Sequence, residues 1–449
     1  MNSTLRRRTL PPLIALLLSG SAFASGFQLQ NQTGSGNGTA FAGAAAAAED
    51  AGTIMWNPAG MTYLPVGHSI SVAGTLLSRK VEFSNEGSSA NVTPLGVIAP
   101  LTSTGNGGGA GGLSLVPAGY WAYAISPALR VGIGVSPTFG NLTEYNDDFV
   151  GRNAGYFAEM KQININPSLA YRLNEQVSLG FGINIAHNAT QFRQGYPITA
   201  APNVNACAPL PSCAALNSAN NHVVIKGDDW AVGYNLGAMF QLGAATRLGL
   251  SYRSAIKFDL EGDWDVKNPV AGGAVFGDQP IKGSLKTPAN FSMALSHKLN
   301  DRLELLGDLT WTDWSVVDTI TLKNRSSDAT VSALSYNFKD SWRAGLGVNF
   351  QYNDAWKLRF GLAYDQSPVK SAADRTMTLP DSDRIWLSFG ARYQLSKIDS
   401  LDLGYTHVFM KSERTERAVS SATLGTLQVV RGSWDNSVDI LSLQYNRNF

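Results

Sequence analysis

From residue 68 to the C-terminus, large apolar side chains recur at every second position, with small or polar residues between them. Leu179, Phe181, Ile183 and Ile185 alternate with Ser178, Gly180, Gly182 and Asn184, and Leu346, Val348, Phe350 and Tyr352 with Gly345, Gly347, Asn349 and Gln351. Leu358, Phe360, Leu362 and Tyr364 repeat the pattern against Lys357, Arg359, Gly361 and Asp365. In the last segment Leu441, Leu443, Tyr445 and the terminal Phe449 share a face opposite Ser442, Gln444, Asn446 and Asn448. Successive side chains of a strand point to opposite faces, so this period of two predicts strands with one apolar and one polar face, hence an all-β chain.

An apolar face can meet either a soluble core or lipid, and alternation does not choose between them. The connections do. Tight turns fall at Ser126-Pro127, Asn174-Glu175, Gly243-Ala244-Ala245, Asn300-Asp301, Asn353-Asp354 and Lys397-Ile398-Asp399. Longer polar or glycine-rich connections separate them, around 80–112, 138–158, 190–228, 263–282, 320–335, 368–380 and 411–434. Short turns at one end and long loops at the other are the arrangement of an outer-membrane barrel. Six tight turns joining strands in pairs, with a first and a last strand, predict a 14-stranded antiparallel transmembrane β-barrel over 66–449. The aromatic C-terminus is the usual signal to the barrel-assembly machinery.

The first 65 residues do not alternate. Arg6, Arg7 and Arg8, the apolar run Leu10 to Leu18 and then Ala22-Phe23-Ala24 have the order of a secretory signal peptide, predicted to span 1–24. A membrane helix needs about 20 apolar residues, and this run is too short and contains Pro11 and Pro12. Residues 25–65 are rich in glycine and alanine but carry Phe27, Leu29, Phe41, Ile54, Met55 and Trp56. A free tail gains nothing from such groups, so this segment is expected to fold into the barrel as a plug, or hatch.

Composition narrows the function. The 449 residues are 44% hydrophobic, with 45 glycines and a net charge of +1, which gives no basis for nucleic-acid binding. Cys207 and Cys213 are the only cysteines. In an oxidising compartment a close pair points to a local disulfide rather than a metal site, and no metal or cofactor is expected. The five histidines show no spacing to a serine or aspartate that suits hydrolysis, and Gly34 to Gly38 lacks the Lys-Ser/Thr and the preceding strand of a phosphate loop. An enzyme is not expected.

Several motifs occur in one order along the chain. Ser25-Gly26-Phe27-Gln28-Leu29, Ala51-Gly52 and Asn57-Pro58-Ala59 come first, then Tyr252-Arg253-Ser254 and Trp311-Thr312-Asp313-Trp314-Ser315. Phe338-Lys339-Asp340, Trp342-Arg343, Asp365-Gln366-Ser367-Pro368-Val369 and Leu379-Pro380-Asp381-Ser382-Asp383-Arg384 follow. Together they resemble the FadL family of outer-membrane long-chain fatty acid and hydrophobic-compound transporters, from Ser25 to the C-terminus; the loop carrying Cys207 and Cys213 departs from the family pattern. The resemblance implies a plugged 14-stranded barrel, an internal apolar pocket and an opening in the wall near the third strand. It makes Phe27, Asn57, Pro58 and Ala59 candidate hatch residues, and Gly134, Ser136, Pro137, Thr138 and Gly140 candidates for the opening.

Some of this has independent physical content. Proline cannot donate to a sheet ladder, so Pro137 marks either a gap in the third strand or merely its top. Arg247, Arg253, Arg343, Arg359, Arg384 and Arg392 fall on the inner face, where they could hold a fatty acid carboxylate; pairing with lumen acids such as Asp365 and Asp402 is the favoured role. The expected activity is passive uptake of hydrophobic compounds, foremost long-chain fatty acids, by a barrel set among outer-membrane lipid and lipopolysaccharide. Uptake of monoaromatic hydrocarbons is the alternative in the same class, and a structural or adhesive barrel the alternative in another.

Overall fold

The computed structural model describes residues 26–90, 104–195, 222–267, 278–421 and 425–449, so the expected signal peptide and both cysteines lie outside the described residues. Fourteen strands run antiparallel to their neighbours. They are β1 (His68–Asn85), β2 (Gly112–Ala124), β3 (Leu129–Glu144), β4 (Phe157–Arg172), β5 (Val177–Gly195) and β6 (His222–Gln241). There follow β7 (Thr246–Arg253, then Ile256–Lys267), β8 (Gln279–Thr287, then Asn290–Lys298), β9 (Leu303–Thr312, then Thr319–Asn324) and β10 (Thr330–Ser335, then Ser341–Gln351). The last are β11 (Trp356–Asp365), β12 (Arg384–Gln394), β13 (Asp399–Met410, then Glu413–Ser421) and β14 (Gly425–Asn448). β14 pairs with β1 and closes the ring.

The alternation orients the wall. Leu179, Phe181 and Ile183 are 44%, 44% and 40% exposed on the outside, while Ser178 and Asn184 between them are buried in the lumen. The tight turns follow from side chains that replace backbone partners. Asn174 Oδ1 accepts from the amides of Gln176 and Val177, Asn300 Oδ1 from Arg302 and Leu303, and Asn353 Oδ1 from Ala355 and Trp356. Two expected loops are corrected: much of 320–335 and 411–434 is strand, in hairpins that extend β9–β10 and β13–β14. Above the lipid both faces of a hairpin are wet, so the segments pair without the alternation that reveals a spanning strand.

Residues 26–64 fold inside the ring as short helical turns: α1 (Gly34–Asn37), α2 (Ala44–Ala47), α3 (Thr53–Trp56) and a 3-10 turn at Pro58–Tyr63. Inward-facing glycines let their backbone lie directly on the wall. A Cβ at Gly361 would fall 2.0 Å from the Thr39 carbonyl carbon, and one at Gly237 2.0 Å from Asn57 Oδ1. Asn57 is fully buried and donates to the carbonyls of Ala45, Ala238 and Leu250, while its Oδ1 accepts from Ala59, so it fastens the 3-10 turn to β6 and β7. On the opposite wall Arg359 lies between Glu49 and Asp402, and Arg392 bridges Asp402 and Asp50. Burial alone would push the Glu49 carboxyl up, but Arg359, Lys357 and Arg392 hold it well below the usual carboxylate range.

Candidate functional site

The seam between β2 and β3 is interrupted within the wall. Among the described residues β2 and β3 pair from Ala124/Arg130 only as far as Gly119/Val135. Continuing that register would set Pro117 opposite Pro137, and neither proline has an N–H to donate. On its other side β3 stays paired with β4, but the register shifts between Pro137 and Phe139, so Thr138 is bulged. An extra residue bends a strand and re-aims its neighbours.

The abandoned edge of β3 is taken by the start of the plug. Leu29 donates its amide to the Thr138 carbonyl at 2.9 Å, and Gly140 donates to the Phe27 carbonyl at 2.8 Å. Gln32 Nε2 donates to the Pro137 carbonyl at 2.9 Å. An unmade backbone bond facing lipid costs several kcal/mol, so this one short stretch satisfies groups that β2 leaves without a ladder. Ser136 and Thr138 are buried beside it: Ser136 Oγ lies 3.7 Å from Met55 Sδ, and Thr138 Oγ1 accepts from Gln162.

The same stretch separates two cavities. On one side Phe27, Met160, Phe192, Ile225, Leu260, Leu285, Ile320, Leu334 and Leu379 line an apolar cavity of about 860 Å³, its open mouth included. Glu159, Lys226 and Lys282 supply its few charges. On the other side Gln28, Leu29 and Gln30 border a second, more polar cavity that also meets Arg253, Asp308 and Arg343. The Phe27 ring is buried in an aromatic cluster, 4.8 Å from Trp314 and 5.8 Å from Phe139 between centroids.

Of the residues singled out in the sequence, the structure therefore gathers Phe27, Ser136, Pro137, Thr138 and Gly140 at one seam, with Gly134 opposite Tyr120 inside its last paired turn. Asn57, Pro58 and Ala59 sit instead at the fastened end of the plug. The inner-face arginines mostly pair with acids: Arg343 with Asp308 at 2.9 Å, Arg359 and Arg392 with Asp402, and Arg384 with Asp381. Arg253 donates to Asn184 and to the Met55 carbonyl, and Arg247 lies over the Tyr63 ring. Pro117 and Asp381 were not anticipated as site residues. Pro117 gains meaning only once the register sets it opposite Pro137. Among the described residues no cluster of three or more His, Cys, Asp and Glu side chains is arranged to hold a metal.

A family model described as outer membrane protein transport protein (OMPP1/FadL/TodX) matches residues 15–449. An outer membrane protein of Neisseria meningitidis serogroup B is 30% identical, with 97% of this chain and 98% of the relative aligned. The long-chain fatty acid transport protein of Salmonella typhi is 28% identical over 88% of this chain and 90% of its own. Among solved structures, a Pseudomonas aeruginosa FadL homologue superposes with a TM-score of 0.82 at 22% identity, covering 95% of this chain and all of the other. The Pseudomonas putida toluene transporter TodX does so with a TM-score of 0.65 at 16% identity, over 95% of this chain and 100% of its own.

Proposed function

The chain belongs to the FadL/TodX family of outer-membrane transporters for hydrophobic compounds, and from that premise we propose that it takes up long-chain fatty acids passively, with the Phe27–Leu29 stretch as ligand-responsive gate and the β2–β3 seam as lateral exit. One observation carries this reading: Phe27 both lines the apolar cavity and lends its carbonyl to the exposed edge of β3. Cargo that displaces the Phe27 ring pulls on the backbone that covers the seam, so filling the cavity and uncovering the exit are one event.

Chain length favours a fatty acid over a single aromatic ring. The cavity is lined along its length by apolar side chains from Phe27 and Met160 to Leu334 and Leu379, a wall suited to a hydrocarbon chain. Each methylene moved from water into it gains about 0.8 kcal/mol, which is enough for stepwise desolvation without an energy source. The long-chain fatty acid transport proteins among its relatives support the same class. A lateral exit delivers such cargo to the bilayer and spares it a crossing of the periplasm as a free molecule.

The test pairs cellular uptake with affinity in detergent for oleate and for toluene, in the wild type and in a protein lacking residues 25–38. Wild type should bind and import oleate in preference to toluene. The shortened barrel should stay folded and heat-modifiable on gels while its uptake and small-solute leakage change. Wild-type uptake and leakage by the shortened protein would remove the gate, and preference for toluene would replace the cargo.

A further inference from the structure

Across β7 to β10 four aromatic residues stand side by side in one row: Tyr252 pairs with Phe291, Phe291 with Trp311, and Trp311 with Trp342. Phe291 and Trp342 are exposed on the outside, toward the end of the barrel that carries the long connections, where an aromatic girdle marks the membrane surface. Beyond this row the outward residues of β7 and β8 become Lys257, Asp259, Ser284 and Lys286, all exposed. The apolar residues change sides, and Phe258, Leu260 and Leu285 are buried on the inner face.

Immediately above the row the ladder between β8 and β9 lapses. Pairing runs up to Asn290/Thr312, is followed by one bond from the Asp313 amide to the Ala289 carbonyl at 2.9 Å, and resumes at Gly283/Leu322. Among the described residues no backbone bond joins 284–288 to 314–321. Both strands contribute to the break. Pro288 has no N–H to donate, and β9 leaves the sheet in a 3-10 turn, Trp314–Val316, that places the Trp314 ring against Phe27. Water reaches backbone groups at this height, so the break escapes the cost it would carry in hydrocarbon. Side chains close it instead, with Ile320 packed against the cluster of Phe258, Leu260 and Leu285.

Leu260, Lys282 and Gly283 border the apolar cavity and also a groove on the outside of the wall. The rim of that groove is charged. Lys282 and Lys323 are directly opposed across β8 and β9 and share one carboxylate, Asp328, at 3.0 and 3.1 Å. The neighbouring acids are engaged elsewhere, Asp259 with Lys257 at 2.8 Å and Glu261 with Arg325 at 2.9 Å. The break therefore has two ammoniums on one carboxylate at its top, an aromatic row at its foot and an apolar cavity behind it. A fatty acid lying in the outer face of a membrane has the complementary order, with its carboxylate at the surface and its chain below.

We propose that the unpaired stretch between β8 and β9 is a side entrance through which a fatty acid in the outer face of the membrane slides its chain into the apolar cavity while Lys282 and Lys323 hold its carboxylate. This rests on the fatty acid reading and adds to it a point of entry distinct from the β2–β3 seam. No ladder has to open, because rotation of side chains such as Ile320 clears the way, and such motions are fast.

The experiment blocks the groove in a protein that has already folded. Ser284 is exposed and borders the groove, so Ser284→Cys, in a Cys207→Ser, Cys213→Ser background, is treated with a bulky, charged methanethiosulfonate and later released with reductant. Modification should slow oleate uptake by cells, and oleate association with the purified protein, severalfold; it should leave the equilibrium affinity unchanged and reverse on reduction. Lys282→Gln with Lys323→Gln should also slow oleate association severalfold. Asp328→Asn frees both ammoniums and suits the φ of +58° at that position, and it should speed association. Methyl oleate, which has the chain without the charge, should respond to neither change. Oleate that enters the modified protein at the unmodified rate overturns the entrance, and equal responses of oleate and its methyl ester overturn the role of the lysines. An unmodified protein without affinity for oleate would remove the cargo and this entrance together, so the unmodified control tells the two failures apart.

Discussion

β1 and β2 are neighbours, yet the seams on their far sides differ in kind. Between β1 and β14 the register runs without a break from Ser69/Asn448 to Asn85/Gly432. Between β2 and β3 it stops at Gly119/Val135. Both seams lie in one closed sheet and face the same lipid, so the solvent does not distinguish them. Two facing prolines do, because they remove the donors that would have carried the ladder onward. The groups left over are met from inside by Phe27 and Leu29. A barrel wall can thus be closed at one seam by strand pairing alone and at another by the plug inside it.

The largest effect should come from locking the plug-covered seam. Gln28 and Phe139 are bridge partners, and antiparallel partners lie about 4.5–5.5 Å apart between Cα atoms, within disulfide reach. Cysteines at both, in a Cys207→Ser, Cys213→Ser background, should abolish oleate uptake when oxidised and restore it on reduction. Uptake that ignores the redox state would show that cargo leaves by another route.

Next in size is Ser136→Arg, which sets a bulky charge in the seam. Uptake should fall about tenfold, equivalent to ~1.4 kcal/mol, while affinity in detergent stays near wild type; equal losses in both would relocate Ser136 to the binding step. A smaller, severalfold fall is expected when Pro117→Val and Pro137→Val together restore the donors and let the ladder extend. Normal uptake in that double variant would mean that the prolines do not cause the break. The smallest effect should follow from loosening the seam closed by strand pairing. Thr75 and Ser442 share a buried hydrogen bond across β1 and β14 at 2.8 Å, so Thr75→Val should lower stability by about 1 kcal/mol in an unfolding titration and leave uptake alone. Impaired uptake there would erase the distinction between the seams.

The spanning strands were legible because lipid demands apolar residues at every second position. Their turns were legible because Asn174, Asn300 and Asn353 carry their own local chemistry. The outer hairpins were not, since water accepts either face. The plug announced itself through Phe27, Phe41 and Trp56, but its docking surface did not. Gly237 and Gly361 look like filler on a polar face until the plug backbone is laid against them. Pairing of inner arginines with Asp402 was foreseen, whereas Glu49 and Asp308 are acids whose partners come from other elements, and sequence adjacency gives no hint of them.

The plug's contacts also bear on the order of assembly. Gly26 meets Asp381 across 355 residues, and Asn37 meets Gly404 and Ile440 across 367 and 403. Contacts so distant in sequence form late, because the chain between them must be ordered first. On this argument the plug, though near the start of the chain, settles only after β12 to β14 have closed the ring, and until then the nascent cylinder is hollow. Its permeability is set during that interval by how fast the N-terminus finds its seat.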